Sequence, residues 1–512
     1  MWLHGRYDGG TCVDTMIEGP AWAQQGLDQR EGRYPLAVEA PVLSMVATLM
    51  PGLSTLTQFA RYYSLYWALS DLADREQLDA SDCQRIVRRA ELLLALVTHE
   101  VDGRAVVAHG VDAMLRGRAA GQPMWQLAEL GPRSYSPRAW GFWSQYGGPS
   151  DALGTATTDG GALRAARHPC PPAVREMFSP LLAAAVAEGE SDAPSGLLAG
   201  LRPLALGSRG TPDLDALSEV FTATRGGRHD PAEWTGDDLT RRSTLRILAR
   251  SAILVPDASS RLDALRQAVA YGPAAVQDPV LAAEDRTQAW RGLLLRHRSV
   301  GAWRRLWAGL VDHVKDQGVA SHTDLHDWIA DRLPDHRVDH LELPPIVDGA
   351  GHPLAAEDAL PDQFGHVHID VATLMVGAQR RDTLSGAALV AFLGGRRAGH
   401  GTFLDPTWVA RRVADHSGRS SRDLGGALVD DMVAQARRVA LRKVRVQDGR
   451  LQMFSRLHER NGTYTAHFRE GAGNVGLRVD QLAGIAEQLG LLGSQGGTPV
   501  TPLGANLLRV ST

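Results

Sequence analysis

The chain has 512 residues, 44% of them apolar and 22% charged, with 54 Lys and Arg against 58 Asp and Glu for a formal net charge of −4. That balance belongs to a folded protein of roughly two to four domains and excludes a chain coated with positive charge, so any nucleic-acid surface must be local. The scattered cysteines Cys12, Cys83 and Cys170 exclude a disulfide scaffold or a cysteine-rich zinc site and fit a reducing cytoplasm.

Met1-Trp2-Leu3-His4-Gly5 lacks the charged and apolar regions of a signal peptide. The apolar run at 42–53 is broken by Pro51-Gly52 and is too short for about 30 Å of hydrocarbon. A cytoplasmic protein with no membrane partner is therefore expected. From 40 to about 101 the pattern is helical, with Leu53, Leu56, Phe59, Tyr63, Tyr66, Trp67 and Leu69 forming a wide apolar surface. Tyr62 with Tyr66, and Tyr63 with Trp67, fall at helical spacing. Core packing is the expectation for these aromatics, with base or ligand stacking as the alternative. A second helix over 82–97 packs on the first.

Residues 136–164 read as a helix passing Trp140, Trp143 and Tyr146, disturbed at Gly147-Gly148-Pro149, closed at Gly154 and followed by a turn at Asp159-Gly160-Gly161. This is the grammar of a winged-helix-type unit. After Pro171, Ala/Leu-rich helices alternate with Gly/Pro/Asp loops, and the spacing predicts further helices over 239–254, 260–271 and 283–314. The only lysines are Lys315 and Lys443, and neither has the neighbours of a Walker A loop or a Schiff-base site. His322 with His326, and His336 with His340, are pairs one helical turn apart, but Leu333-Pro334 separates them and no HExxH glutamate accompanies them. Residues 341–362, rich in Pro, Gly and acids, read as a linker.

His366-Val367-His368-Ile369-Asp370 reads as a strand with both histidines and the aspartate on one face, a three-ligand arrangement for zinc. It resembles the start of the HxHxDH motif of metallo-β-lactamase-type hydrolases. Val371 stands where that family has its last histidine, and an edge strand with outward histidines is the favoured reading.

Between 395 and 480 sixteen Arg and Lys face nine Asp and Glu, so a basic segment sits in an otherwise acidic chain. Arg411, Arg412, Arg419 and Arg422 precede a cluster of Arg437, Arg438, Arg442, Lys443 and Arg445 at the end of a helix. These nine residues are the expected phosphate contacts, because each neutralised phosphate releases counterions. The competing reading is a solvated face paired to Asp430 and Asp431. Strands over 441–446, 451–457 and 463–468, turned at Gln447-Asp448-Gly449 and Arg460-Asn461-Gly462, form a small antiparallel β meander. His458, Asn461 and His467 lack the helix of an HNH nuclease. Gly471-Ala472-Gly473-Asn474-Val475-Gly476 matches GxGxxG but lacks the following β-α-β framework of a dinucleotide site, so no cofactor is expected.

The tail reads as the closing half of a winged helix. Val479, Leu482, Ile485 and Leu489 share a stripe, Gly490 stops the helix, Leu491-Leu492 starts a strand turning at 494–497, and Thr501-Pro502 starts a last helix. Its outer face carries Asp480, Gln481, Glu487 and Gln488 and no arginine, which points to protein docking rather than base reading.

Pro51-Gly52-Leu53-Ser54-Thr55 followed by Ala60-Arg61-Tyr62-Tyr63 resembles the opening of an uncharacterised bacterial family whose genes often sit near restriction or phage-defence loci. A looser similarity covers 455–462. The resemblance implies a defence-system context and supplies no catalytic residue.

The expected fold is mainly α: a multi-helical body with winged-helix-type modules and a small antiparallel β meander near the C-terminus. The expected segments are 1–130 (helical), 131–170 (winged-helix-type), 171–345 (helical body), 346–470 (basic helix and meander) and 471–512 (winged helix). The expected function is a non-catalytic DNA-binding or complex-assembly component of a bacterial antiphage defence or restriction-type system, with DNA and other protein subunits as partners. The alternative is a metal-dependent hydrolase or nuclease using His366, His368 and Asp370.

Overall fold

The apolar stripes do form helices, and side-chain caps set where many of them begin. The computed structural model describes residues 27–132, 134–136, 141–187, 196–360, 366–395, 403–447, 450–494 and 496–511. Within them the chain is mainly helical. The expectations for Met1 to Gly5, Cys12, Trp140 and the Asp448-Gly449 turn lie outside the described residues.

After a short strand β1 (Leu27–Arg30) come the helices Ala40–Leu49, Ala60–Arg75 and Ala80–Asp102. Asp79 caps the last of these by accepting from the Asp82 N–H at 2.8 Å. On the helix Ala60–Arg75, Tyr62, Tyr63, Tyr66 and Trp67 are all buried. The three tyrosine rings pack with Phe142 and Tyr146, with Tyr63 and Tyr146 edge to face at 5.0 Å. Core packing therefore accounts for the aromatic stripe. Within this core the Glu91 carboxylate accepts from the Tyr66 hydroxyl (2.8 Å), the Tyr135 hydroxyl (2.5 Å) and the Phe142 N–H (3.1 Å). Burial raises its pKa, and these donors work against that shift.

Phe142–Tyr146 is a π-helical turn that runs into the helix Gly147–Leu153 and then into the hairpin of β2 (Ala156–Asp159) and β3 (Ala162–Ala165). The disturbance expected at Gly147-Gly148-Pro149 is this change of helical pitch. The helix Gly236–Leu254 follows, with a capping box between Thr235 and Asp238. The expected helix over 260–271 is α-helical only for Arg261–Leu265 and π-helical for Arg266–Ala270.

The helix Thr287–Gln317 is the axis of the molecule, with Trp290, Trp303 and Trp307 fully buried. A Cβ at Gly292 would fall on the Ala388 carbonyl oxygen, so this glycine lets the helix Gly386–Phe392 cross in direct contact. Residues 367–371, expected as a strand, open the helix Val367–Arg380 instead. The apparent alternation is the start of a helical stripe in which Val367, Asp370, Val371 and Leu374 face inward.

The remaining strands are β4 (Ala320–Ser321), β5 (Arg445–Gln447), β6 (Arg450–Phe454), β7 (His458–Arg460) and β8 (Thr463–Thr465). Asn461 and Gly462 both have positive φ (53° and 76°), the geometry of the expected tight hairpin turn between β7 and β8. The predicted strands do not form one continuous meander. They divide into two sheets, β1-β6-β5 and β4-β8-β7, and β1 runs parallel to β6. The second strand of the meander thus pairs with a segment more than 400 positions earlier, a partner that no local pattern announces.

Gly471 to Gly476 has no regular structure and crosses the helix Thr287–Gln317 as a strap. Asn474 donates to the His297 carbonyl at 2.8 Å, and Arg304 donates to the Gly473 carbonyl at 2.6 Å.

At the tail, Val479–Gln488 and Pro502–Leu508 are helices, Gly490 has φ +68°, and Leu492 bridges Val500. Thr501 caps the last helix through the Gly504 N–H at 3.0 Å. This tail is fastened to the body. Arg242, Arg246 and Arg250, successive turns of the helix Gly236–Leu254, donate to the carbonyls of Leu507 (2.8 Å), Leu508 (2.6 Å) and Ser511 (2.7 Å). One apolar core extends from Leu36 to Val510. Among the described residues, no helix is long and apolar enough to cross a membrane.

Candidate anion-binding site

The basic segment is built on the helix Ser421–Lys443. Ser420 caps its start, Asp423 lies in its first turn, and Arg442 and Lys443 lie in its last, each charge placed where the helix dipole favours it. Leu424, Leu428, Met432, Gln435 and Val439 are buried. Arg422, Asp430, Arg437, Arg438 and Arg442 on the same helix point away from the core in different directions.

This angular spread, together with the acids nearby, separates the nine expected phosphate contacts. Arg422 and Arg442 lie twenty positions apart, about 30 Å along the axis, so the nine do not share one patch. Arg412 is held by Asp431 through two contacts of 2.8 and 2.7 Å, which raise its pKa. Arg422 lies 3.8 Å from Asp335, and Arg437 lies 3.4 Å from Glu459. Arg445 covers the Phe454 ring at 4.7 Å. Lys443 turns back to the carbonyls of Arg33 and Tyr34, and burial lowers its pKa. Arg411 and Arg419 are exposed and precede the helix Ser421–Lys443, whose last turns carry the cluster. Of the expected carboxylate partners, Asp431 holds Arg412, whereas Arg422 and Arg437 meet Asp335 and Glu459 instead.

Arg438 and Arg442 behave differently. They stand one turn apart on the rim of a cavity of about 760 Å³ between the helix Ser421–Lys443, the start of the helix Ala40–Leu49 and the helix Thr287–Gln317. Arg438 lies 4.3 Å from the centre of the Phe403 ring, a cation–π contact that fixes its guanidinium over the opening. Val38, Pro41, Leu393 and Leu441 supply apolar wall, and none of the described residues that line the space is acidic. Gln435 is occupied by the Leu36 carbonyl at 2.9 Å, and the neighbouring Glu39 is held by Arg304 at 2.5 Å.

The third cation of the lining is Arg296, on the helix Thr287–Gln317. It is only 2% exposed, and its Nε and Nη1 have no hydrogen-bond partner. Burial lowers its pKa to about 10, an effect that the charge of Asp405 opposes, so the group remains a cation at neutral pH. A buried guanidinium without a full set of acceptors is costly by several kcal/mol, and buried polar groups are otherwise almost always paired. Three guanidinium groups around one cavity, with no carboxylate among the described lining residues, suit an anion, and the apolar wall with Phe403 suits a flat or hydrocarbon part of the same ligand.

Arg296 was missed among the candidate residues, yet its signal is in the sequence. Arg296, Val300, Trp303 and Trp307 fall on one helical stripe, so a charge stands among large core residues.

The proposed zinc face does not assemble. His366 and His368 are exposed, whereas Asp370 points into the core and meets Arg305 at 2.7 Å. The His366 and His368 rings lie 6.1 Å apart, and the helical period of 3.6 turns Asp370 to the inner side, where a strand would align it with them. Among the described residues, the one group of three or more metal-binding side chains that converges is His322, His326 and Asp430.

No protein-family model, curated protein or solved structure matches this chain.

Proposed function

We propose that this protein is a non-catalytic nucleic-acid-binding component of a bacterial antiphage defence or restriction-type assembly, and that it takes a phosphate-bearing segment of DNA into the cavity beneath Arg438 and Arg442. The observation that carries the reading is the buried guanidinium of Arg296 in the same cavity, whose Nε and Nη1 have no hydrogen-bond partner. A phosphate supplies the missing acceptors, and charge-assisted hydrogen bonds to Arg are among the strongest a protein makes. The cavity is far narrower than a duplex, so an unpaired nucleotide at a strand end or in a single-stranded stretch fits its size and its aromatic side.

The two helix-then-hairpin units, Phe142–Ala165 and Val479–Val500, support the winged-helix-type part of this reading. Both are anchored to the helix Ala60–Arg75: the Ala165 N–H donates to the Asp74 carboxylate at 2.9 Å, and Gln488 accepts from the Ala60 N–H at 2.9 Å. In this reading they brace the body and present faces to partner subunits. The defence context rests on the resemblance around Arg61.

Titrating fluorescent single-stranded and duplex oligonucleotides across a range of salt tests the function. Single strands are expected to bind more tightly than duplex. R438E/R442E should weaken binding at least roughly tenfold and make the log–log salt slope shallower by about 1 to 2, whereas R411E/R419E should change both much less. Equal retention by R438E/R442E and the wild type would refute the assignment.

A further inference from the structure

A second constellation lies on the opposite flank of the helix Ser421–Lys443, and it is independent of the anion site. The helix His322–Ala330 starts at a capping box in which the Ser321 hydroxyl accepts from the Asp324 N–H (3.2 Å) and Asp324 accepts from the Ser321 N–H (2.6 Å). This places His322 at the first helical position and His326 one turn later. Leu325 and Ile329, on the inner face, are buried and fix the rotation of the helix.

Two glycines then let the helices approach. A Cβ at Gly425 would come 2.5 Å from Leu333, and one at Gly426 would come 3.1 Å from the His326 ring. Asp430 is one turn beyond Gly426, on the same side. The result is a convergence: His322 Nε2 and His326 Nε2 each lie 2.8 Å from the same oxygen, Asp430 Oδ1, with the two rings 4.4 Å apart.

We propose that His322, His326 and Asp430 form a binding site for a divalent transition metal, with zinc as the preferred ion, that clamps the helix His322–Ala330 to the helix Ser421–Lys443. The donor set is two imidazoles and one carboxylate, which suits zinc. All three donor atoms lie within 4.8 Å of one another, and tetrahedral coordination at about 2.0–2.1 Å sets donor separations near 3.3 Å. Both imidazoles present the same nitrogen to one point, as helix-borne i, i+4 metal ligands do. No arginine or lysine among the described residues pairs with Asp430, although the segment around it is rich in arginine. His322 and Asp430 are about half exposed, so water can complete the coordination sphere. Two neutral imidazoles hydrogen-bonding to a carboxylate would give similar distances, and metal titration separates the two arrangements.

The test uses full-length protein stripped with a chelator and titrated with zinc chloride by calorimetry, and separately with cobalt(II) followed by visible absorption. One zinc per chain, tetrahedral cobalt bands and a zinc-dependent rise in Tm are expected. H326A and D430N should each weaken binding at least roughly 100-fold and abolish the Tm response. D430N keeps a hydrogen-bond acceptor for the histidines, so it separates lost coordination from lost folding, which far-ultraviolet circular dichroism monitors. Absence of binding, or zinc binding with unchanged stoichiometry and affinity in both variants, would overturn the proposal. DNA binding by R438E/R442E is read separately, so either proposal can fail alone.

Discussion

The Arg61 guanidinium meets the Asp213 carboxylate at 3.1 Å with both side chains almost wholly removed from solvent. Arg61 also donates to the Thr211 hydroxyl and to the carbonyls of Pro203, Ala205 and Ser208. The arginine of the Ala60-Arg61-Tyr62-Tyr63 segment is therefore a clasp between the helix Ala60–Arg75 and the start of the helix Pro212–Thr222. Removing one partner leaves the other charge buried and uncompensated. D213A is expected to cost about 3–5 kcal/mol in urea unfolding. A loss below about 1 kcal/mol would show that solvent reaches the pair.

Acid should unfold the protein through its buried histidines. His297 Nε2 donates to the Val475 carbonyl at 2.7 Å, while its Nδ1 faces Arg266 at 3.2 Å. Burial is the largest cause that lowers its pKa to about 4, with that of His168 and His458 lowered likewise to about 4. In the unfolded chain these groups titrate near 6.5. The unfolded state thus binds more protons between pH 6.5 and 4, so this stability is present above pH 6.5 and is lost as pH falls through the window. Each histidine contributes up to about 1.4 kcal/mol per pH unit. The urea midpoint measured at pH 7, 6 and 5 should fall progressively, and H297Q should flatten the fall. An unchanged midpoint across that range would contradict neutral burial.

Gly292 is where the helices Thr287–Gln317 and Gly386–Phe392 cross, and an added methyl would collide with backbone rather than with a movable side chain. G292A should destabilise by at least about 2 kcal/mol in spite of the better helix propensity of alanine. G200A, in the helix Leu197–Leu201 with nothing near the added atom, should be neutral or stabilising. Thermal melts of the two variants report the contrast directly.

The arginine ladder that holds the tail can be loosened selectively. R242A/R246A removes donors from the Leu507 and Leu508 carbonyls and should cost roughly 2–5 kcal/mol. It should also raise amide exchange in Pro502–Leu508 more than in Thr287–Gln317. Uniform exchange across both helices would mean that the tail opens only with global unfolding.

Much of the local structure was legible in the residue order because it depends on neighbours along the chain. The aromatic stripe, the Asn461-Gly462 turn, the Thr501-Pro502 start and the tail helix all follow from spacing, φ preference or capping within a few positions. The reading of 366–371 as a strand failed for the same local reason: six residues of alternating polarity suit either period, and the core contact of Asp370 with Arg305 selects the helix. The nine cations expected to contact phosphate are alike in charge as letters. Only packing distinguishes Arg412, tied to Asp431, from Arg438, beside a cavity, and only packing leaves Nε and Nη1 of Arg296 buried without a hydrogen-bond partner. Likewise His322 and His326 became a metal-type constellation when two glycines brought Asp430 against them from more than 100 positions away. Periodicity and caps are properties of a segment, whereas desolvation and the convergence of side chains belong to the fold, and the function proposed for this chain depends on the second kind.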